Sequence, residues 1–182
     1  TSNPYIFRSM RLLLIGCTGF VGRQLVPQLL QTGHHLTILS RKSKHQLSKS
    51  LPNECLTSLI TLNPANIQNW EKEELVTALA KADGVINLAG EPIAEKRWTS
   101  RHCEELKRSR INTTKGLVNA MTHLKRPPKV LINGSAIGFY GTSLKNKFNE
   151  NSTAGEDFLA NLCKQWESAA LQKPRSTRLI IF

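Results

Sequence analysis

The stretch from Arg11 to Val26 most constrains what this chain can fold into. Its apolar run, Leu12-Leu13-Leu14-Ile15, ends in three glycines, Gly16, Gly19 and Gly22, spaced G-x-x-G-x-x-G. The run is too short for a helix of its own and reads as a buried parallel strand. A helical apolar spacing follows at Val21, Leu25 and Leu29. Gly16 lets the chain turn tightly off the strand. Gly19 leaves out a Cβ where a pyrophosphate would approach the backbone, and Gly22 lets the new helix pack closely on the sheet. The helix start then offers unpaired N–H groups and a partial positive charge to phosphates. Between a strand and a helix, at the head of an alternating chain, the triplet is a dinucleotide-binding signal, with Gly16, Thr18, Gly19, Phe20, Val21 and Gly22 as its loop. The alternative is a plain glycine turn in another α/β protein.

Gly33 closes the first helix, and His35 to Leu39 forms a second strand that runs into Ser40-Arg41-Lys42. This junction chooses between dinucleotides. An Asp or Glu here would hold the adenine ribose hydroxyls of NAD and repel a 2′-phosphate. This chain has Arg41, with Lys42 and Lys44 close behind. A guanidinium holds a phosphate through charge-assisted hydrogen bonds. Ser40, Arg41 and Lys42 therefore favour NADP over NAD, unless Arg41 is only a solvated loop charge.

The remaining pattern alternates. His45 to Asn53 reads as a polar, mobile loop, and a short strand follows at Ser58 to Leu62. A helix is expected over Gln68 to Lys81, with Leu75, Val76 and Leu79 buried. Asp83-Gly84 turns into a strand over Val85 to Gly90, where the small Ala89 and Gly90 at the carboxyl end admit a cofactor ribose and Leu88 beside them is a further cofactor-binding candidate. One long helix over Arg101 to His123 would bury Leu106, Leu117, Val118 and Met121 and stop before Pro127-Pro128. Lys129 to Asn133 is a fifth strand, Gly155 to Leu171 a last helix, and Thr177 to Phe182 begins a sixth strand. The order predicts an α/β fold, a doubly wound parallel sheet of the Rossmann type with right-handed crossovers, spanning 10–182. Residues 1–9, before Met10, read as an upstream extension or an appended remnant.

The chain has 182 residues, enough for one such domain. No apolar run approaches a membrane span. Four scattered cysteines, with no paired spacing to each other or to histidines, read as reduced thiols without a metal. Cys17, in the glycine loop, is either a thiol of lowered pKa or a small residue filling a turn. The net charge of +12 is spread along the chain, without an aromatic-basic recognition motif. It reads as a solvated basic surface rather than a specific nucleic-acid site, and any DNA binding should fall steeply with salt.

Several motifs agree with one family. The Gly16–Gly22 loop, Val85 to Ile93 (Val-Ile-Asn-Leu-Ala-Gly-Glu-Pro-Ile), Arg97-Trp98, Ser109-Arg110, Ser135 to Thr142 and Asp157-Phe158-Leu159-Ala160 together resemble the extended and atypical short-chain dehydrogenase/reductases. The resemblance is greatest to their epimerase-like subgroup, the NAD-dependent epimerase/dehydratases of bacterial and plastid type, some labelled cell-division inhibitors. It implies an NADP-binding Rossmann domain in a cytoplasmic or stromal protein.

Two departures accompany the resemblance. Working members carry Tyr-x-x-x-Lys on the helix after the fifth strand: the Tyr transfers a proton, and the Lys lowers its pKa. Registered on Glu167, those positions are Leu159 and Cys163; Lys164 is one residue away, about 100° around the helix. Ser135 and Tyr140 are left as substitute catalytic candidates, although their spacing is one residue longer than the family's and would put Ala136 in the serine's place. Equally, Ser135 only hydrogen-bonds its loop or the cofactor. The second departure is length: relatives continue into a part that builds the substrate pocket, so that side of the cleft is expected to be largely missing. Three functions follow, in order: an NADP-dependent oxidoreductase or epimerase of unassigned small-molecule substrate, a non-catalytic NADP(H)-binding regulatory or assembly protein, and, weakest, a nucleic-acid binder. A homo-oligomer stays open.

Overall fold

The first strand, β1 (Arg11–Ile15), is buried on both faces from Leu12 onward, which is why its sequence does not alternate. The computed structural model describes residues 8–182, so the reading of 1–9 as an extension lies almost wholly outside the described residues. Around β1 stand β2 (His35–Ser40), β3 (Leu59–Thr61), β4 (Gly84–Asn87), β5 (Val130–Asn133) and β6 (Arg178–Ile181). They form one six-stranded sheet, ordered β3-β2-β1-β4-β5-β6, with every pair parallel. Leu13 is flanked by Thr37 on β2 and Val85 on β4. Strand order reverses between β1 and β4, and the carboxyl ends part there into a crevice.

The strand period divides the core in two. Leu13 and Ile15 pack with Leu39, Val85 and Leu131 under α4 (Glu73–Lys81) and α6 (Thr113–Thr122). Leu12 and Leu14 pack on the other face with Ile38, Ile86 and Val26, under α1 (Phe20–Gln31), α2 (Lys44–Leu47) and α3 (Asn53–Thr57).

Several expectations are corrected. The buried face of α1 is centred on Gly22 and Val26, with Leu29 and Leu30 half-buried, whereas Val21, one residue around the helix, is exposed. His45 to Asn53 is not one loop: Ser43 and Gln46 form a reciprocal cap on α2, and Leu47, Leu51 and Cys55 are buried. The Gln68–Lys81 helix is a tight turn at Ile67–Glu71 and then α4, separated at Lys72, whose backbone is extended. The β4 ladder ends at Asn87, so Leu88 to Gly90 leave the sheet. The Arg101–His123 helix is α5 (Ser100–Lys107) and α6, joined through a wide π turn at Arg108–Asn112. The last helix, α7 (Phe158–Leu171), starts later than expected, where Asp157 Oδ1 accepts from the Ala160 N–H at 2.8 Å. Beyond β6 no further strand pairs among the described residues, and Ile180 and Phe182 are exposed there.

Candidate functional site

The glycine loop lies at the carboxyl end of β1, in the crevice. Gly16 has φ of +73°, and a Cβ on it would lie 2.5 Å from the Ala89 backbone nitrogen. It therefore allows both the turn and the close approach of β4's exit. A Cβ on Gly22 would overlap the Cys17 carbonyl group, so the tight packing here is against the loop's own backbone. Gly19 differs: its nearest neighbour would be the Gly16 carbonyl oxygen at 3.7 Å, which leaves room above it. Gly19 also caps α1 without a side chain, and no acidic residue lies in the first turn. The α1 N–H groups thus face an uncapped mouth with no acidic side chain in the first turn, a shape and polarity open to an anion. Phe20, 89% exposed, and Val21 border this mouth, and Arg23 Nε donates to the Thr18 carbonyl at 3.4 Å, bringing a cation to the loop. Burial, the largest effect, together with the nearby Cys55 pushes the Cys17 thiol up to about 12, so Cys17 is the inert turn-filler of the two readings.

At the end of β2, Ser40 is buried and its Oγ accepts from the Lys42 N–H at 3.1 Å, which fixes the turn that presents Arg41. Arg41 Nη2 reaches Glu91 Oε2 at 3.3 Å. Lys96 Nζ holds the other oxygen of that carboxylate at 2.9 Å. The Lys96 hydrogen bond, then Arg41's, outweighs burial and keeps the Glu91 carboxyl below its ordinary range, so it is ionised at neutral pH.

The floor of the crevice is a buried polar network. Asn87 Nδ2 donates to Thr114 Oγ1 at 3.0 Å and to Asn133 Oδ1 at 2.7 Å, and Asn87 Oδ1 accepts from the Ala89 N–H at 3.2 Å. Trp166 Nε1 on α7 donates to the same Thr114 hydroxyl at 3.0 Å. Four elements are thereby tied beneath Leu88, Ala89 and Gly90. Gly90 is in close contact with Arg110, whose Cζ would lie 2.8 Å from a Cβ there. Arg110 comes from the π turn, donates to the Glu91 carbonyl at 3.0 Å and lies over the Trp166 ring.

At the β5 end, Ser135 donates its hydroxyl to Glu167 Oε1, and its backbone N–H donates to the Phe182 carbonyl at 2.7 Å. Tyr140 stacks on Phe148 with ring centroids 5.7 Å apart and meets Phe139 edge-on. Leu159 packs against Gly138, and the Cys163 Sγ is 4.0 Å from the Ala136 carbonyl. Burial first, then Glu167, pushes the Cys163 thiol up. Lys164 is exposed and lines a groove between α6 and α7 instead. Ser135 and Tyr140 thus share one loop but each has its own partner.

Arg23, Glu91, Lys96, Asn87, Asn133 and Glu167 were not singled out for the site from sequence. Asn87 and Asn133 carried a signal: each is the single polar residue closing an apolar strand, and the two are register partners. The ion pairs, across 50 residues for Arg41 and Glu91, carried none.

The family described as "NAD dependent epimerase/dehydratase family" matches residues 12–162. The chain is 33% identical to the epimerase family protein SDR39U1 homolog, chloroplastic, of Arabidopsis thaliana, over 94% of this chain and 47% of that protein. It is 36% identical to the epimerase family protein YfhF of Bacillus subtilis, over 87% of this chain and 48% of that one. The crystal structure of human epimerase family protein SDR39U1 (isoform 2) with NADPH superposes with a TM-score of 0.75 at 34% identity, covering 94% of this chain and 52% of that one. The chain spans about half the length of the curated relatives it matches.

Proposed function

The chain belongs to the NAD dependent epimerase/dehydratase family, and we propose that it binds NADP(H) across the carboxyl ends of β1, β2 and β4. In this reading 10–182 are its cofactor-binding domain. The observation that carries the reading is the cradle: room above Gly19, no room beside Gly16 and Gly22, and an uncapped helix start. The backbone N–H groups of the loop would hold the pyrophosphate, and Arg41 and Lys42 the 2′-phosphate. The human relative described with NADPH supports the choice of dinucleotide. When bound, the nicotinamide supplies or accepts a hydride.

The proton is the weaker part. Leu159 and Cys163 can neither carry a phenolic proton nor lower another group's pKa. Ser135, bonded to Glu167, and Tyr140 are the groups left to hold a proton at a substrate oxygen. The proposed protein is an epimerase-like short-chain dehydrogenase/reductase of unassigned substrate with a degenerate Tyr/Lys pair, and this chain turns over sugar-nucleotide or short carbonyl substrates very slowly or not at all. A second reading, an NADP(H)-binding regulatory or assembly protein without turnover, is favoured by the same packing of Leu159 and Cys163. Calorimetry tests the common core: NADPH should bind more tightly than NADH, and Arg41→Ala should weaken NADPH far more than NADH. Equal losses would remove Arg41 from the 2′-phosphate site. NADPH consumption over a substrate panel by a complete homologous chain separates the two readings, and any activity there should fall with Ser135→Ala or Tyr140→Phe more than with Lys164→Ala; this chain itself should show little or none. Robust turnover abolished only by Lys164→Ala would overturn the helix register.

A further inference from the structure

A cavity of about 300 Å³ opens between the end of β2, the segment after β3, the β4 exit and the π turn, with Arg41, Glu91, Lys96, Glu105, Arg108 and Ser109 in its wall. Glu91 is its fixed point. Its N–H donates to Ser109 Oγ at 2.9 Å, its carbonyl accepts from Arg110, and its side chain is only 15% exposed. The two cations it holds come from different loops and are far more exposed, 63% for Arg41 and 54% for Lys96. Lys96 has a second, longer contact, 3.8 Å to Glu105, which Arg101 also engages. Two cations held by one carboxylate lie in the wall of one cavity, where a phosphate dianion could meet both. The same carboxylate would then face that dianion at close range, like charge against like.

We infer that Lys96 is a second cation of the 2′-phosphate site, and that Glu91 presets Arg41 and Lys96 while competing with the phosphate for them. This rests on the NADP(H) reading above. Glu91 thereby sets how strongly the two dinucleotides are told apart: the phosphate must displace it, whereas NADH leaves the Arg41–Glu91–Lys96 bridge intact. Both cations are solvent-exposed, so their contributions are screened and modest.

The test is calorimetric titration of the full 182-residue chain with NADPH, NADH and 2′,5′-ADP, at low and high salt, with thermal melts as a folding control. Lys96→Ala should weaken NADPH and 2′,5′-ADP about three- to ten-fold and leave NADH unchanged, and Lys96→Arg should restore them. Glu91→Gln should tighten NADPH a few-fold and steepen its salt dependence, with NADH unchanged, while Glu91→Asp should keep the wild-type ratio. Weaker NADPH binding in Glu91→Gln would overturn the competition. A wild-type preference for NADPH that Arg41→Ala removes and Lys96→Ala does not touch would overturn the role of Lys96 and leave the proposed function standing. No wild-type preference at all would sink the proposed function itself.

Discussion

Around the glycine loop, side chains are missing where a Cβ would collide, whereas around Ser135 several side chains have found partners. At the first place the Gly19 N–H donates to the Gly16 carbonyl, and the N–H groups of Phe20, Val21 and Gly22 in the first turn of α1 have no backbone partner. At the second, Ser135 is bonded to Glu167, Cys163 is packed on the Ala136 carbonyl, and Tyr140 is stacked on Phe148. Unspent donors cost free energy unless something arrives to use them, and satisfied groups resist rearrangement. The difference supports the proposed ligand recognition at β1 and α1, and sets it against the side-chain packing at β5 and α7.

Substitutions can break that contrast, and the largest effect belongs to a glycine. Gly22→Ala would force α1 off the Cys17 carbonyl and should cost about 3 kcal/mol or more, lowering the melting temperature steeply. A melt within a degree of wild type would show that the loop yields. Asn87→Ala comes next. It strips partners from Thr114, Asn133 and the Ala89 N–H in a dry interior, and about 2 kcal/mol should be lost in chemical denaturation. An unchanged midpoint would show that the network at the β5 end contributes nothing to its rigidity.

Gly19→Val sharpens the contrast. Its branched carbons enter open space, so the fold should survive, while NADPH affinity falls about ten-fold or more. A folded variant that binds as wild type would take the phosphates away from the loop. The smallest effect lies at the opposite end of the sheet. Asp83 accepts from the Arg11 N–H at 2.8 Å, and that bond, then the Arg11 side chain, outweighs burial and holds its carboxyl below the ordinary range. Its stabilisation is complete above about pH 4, the unfolded value, and fades as pH falls through the lower folded one. Asp83→Asn should flatten the acid limb of a pH melt series slightly without altering NADPH binding. A change in binding would tie that end to the crevice.

The parallel, doubly wound sheet was readable because it follows from backbone rules: unbroken apolar runs, glycine at a strand end, and one hand for crossovers. Leu106, Leu117, Val118 and Met121 are buried as their helical spacing requires, although the helix they were read from is broken. The π turn itself left no trace in composition, because a surplus residue in a helix is set by what it packs on, here Gly90 and Glu91. α2 and α3 were missed because so few of their residues face inward. Within the candidate site, the glycines and Arg41 declare themselves by residue type. Glu91, Lys96 and Glu167 do not, since a carboxylate acquires its partner only when distant loops meet.

The bare flank of β6 bears on how this chain behaves in the test tube. A strand with unpaired N–H and C=O groups and apolar Ile180 and Phe182 is a template for another strand. The net charge of +12 keeps copies apart in dilute buffer. Salt shortens the reach of that repulsion, to about 3 Å at 1 M, while strengthening apolar contact. Ionic strength should therefore act on this surface in two directions: bound polyanions are released as salt rises, while association through the exposed β6 edge becomes easier. Purification is best conducted between those limits.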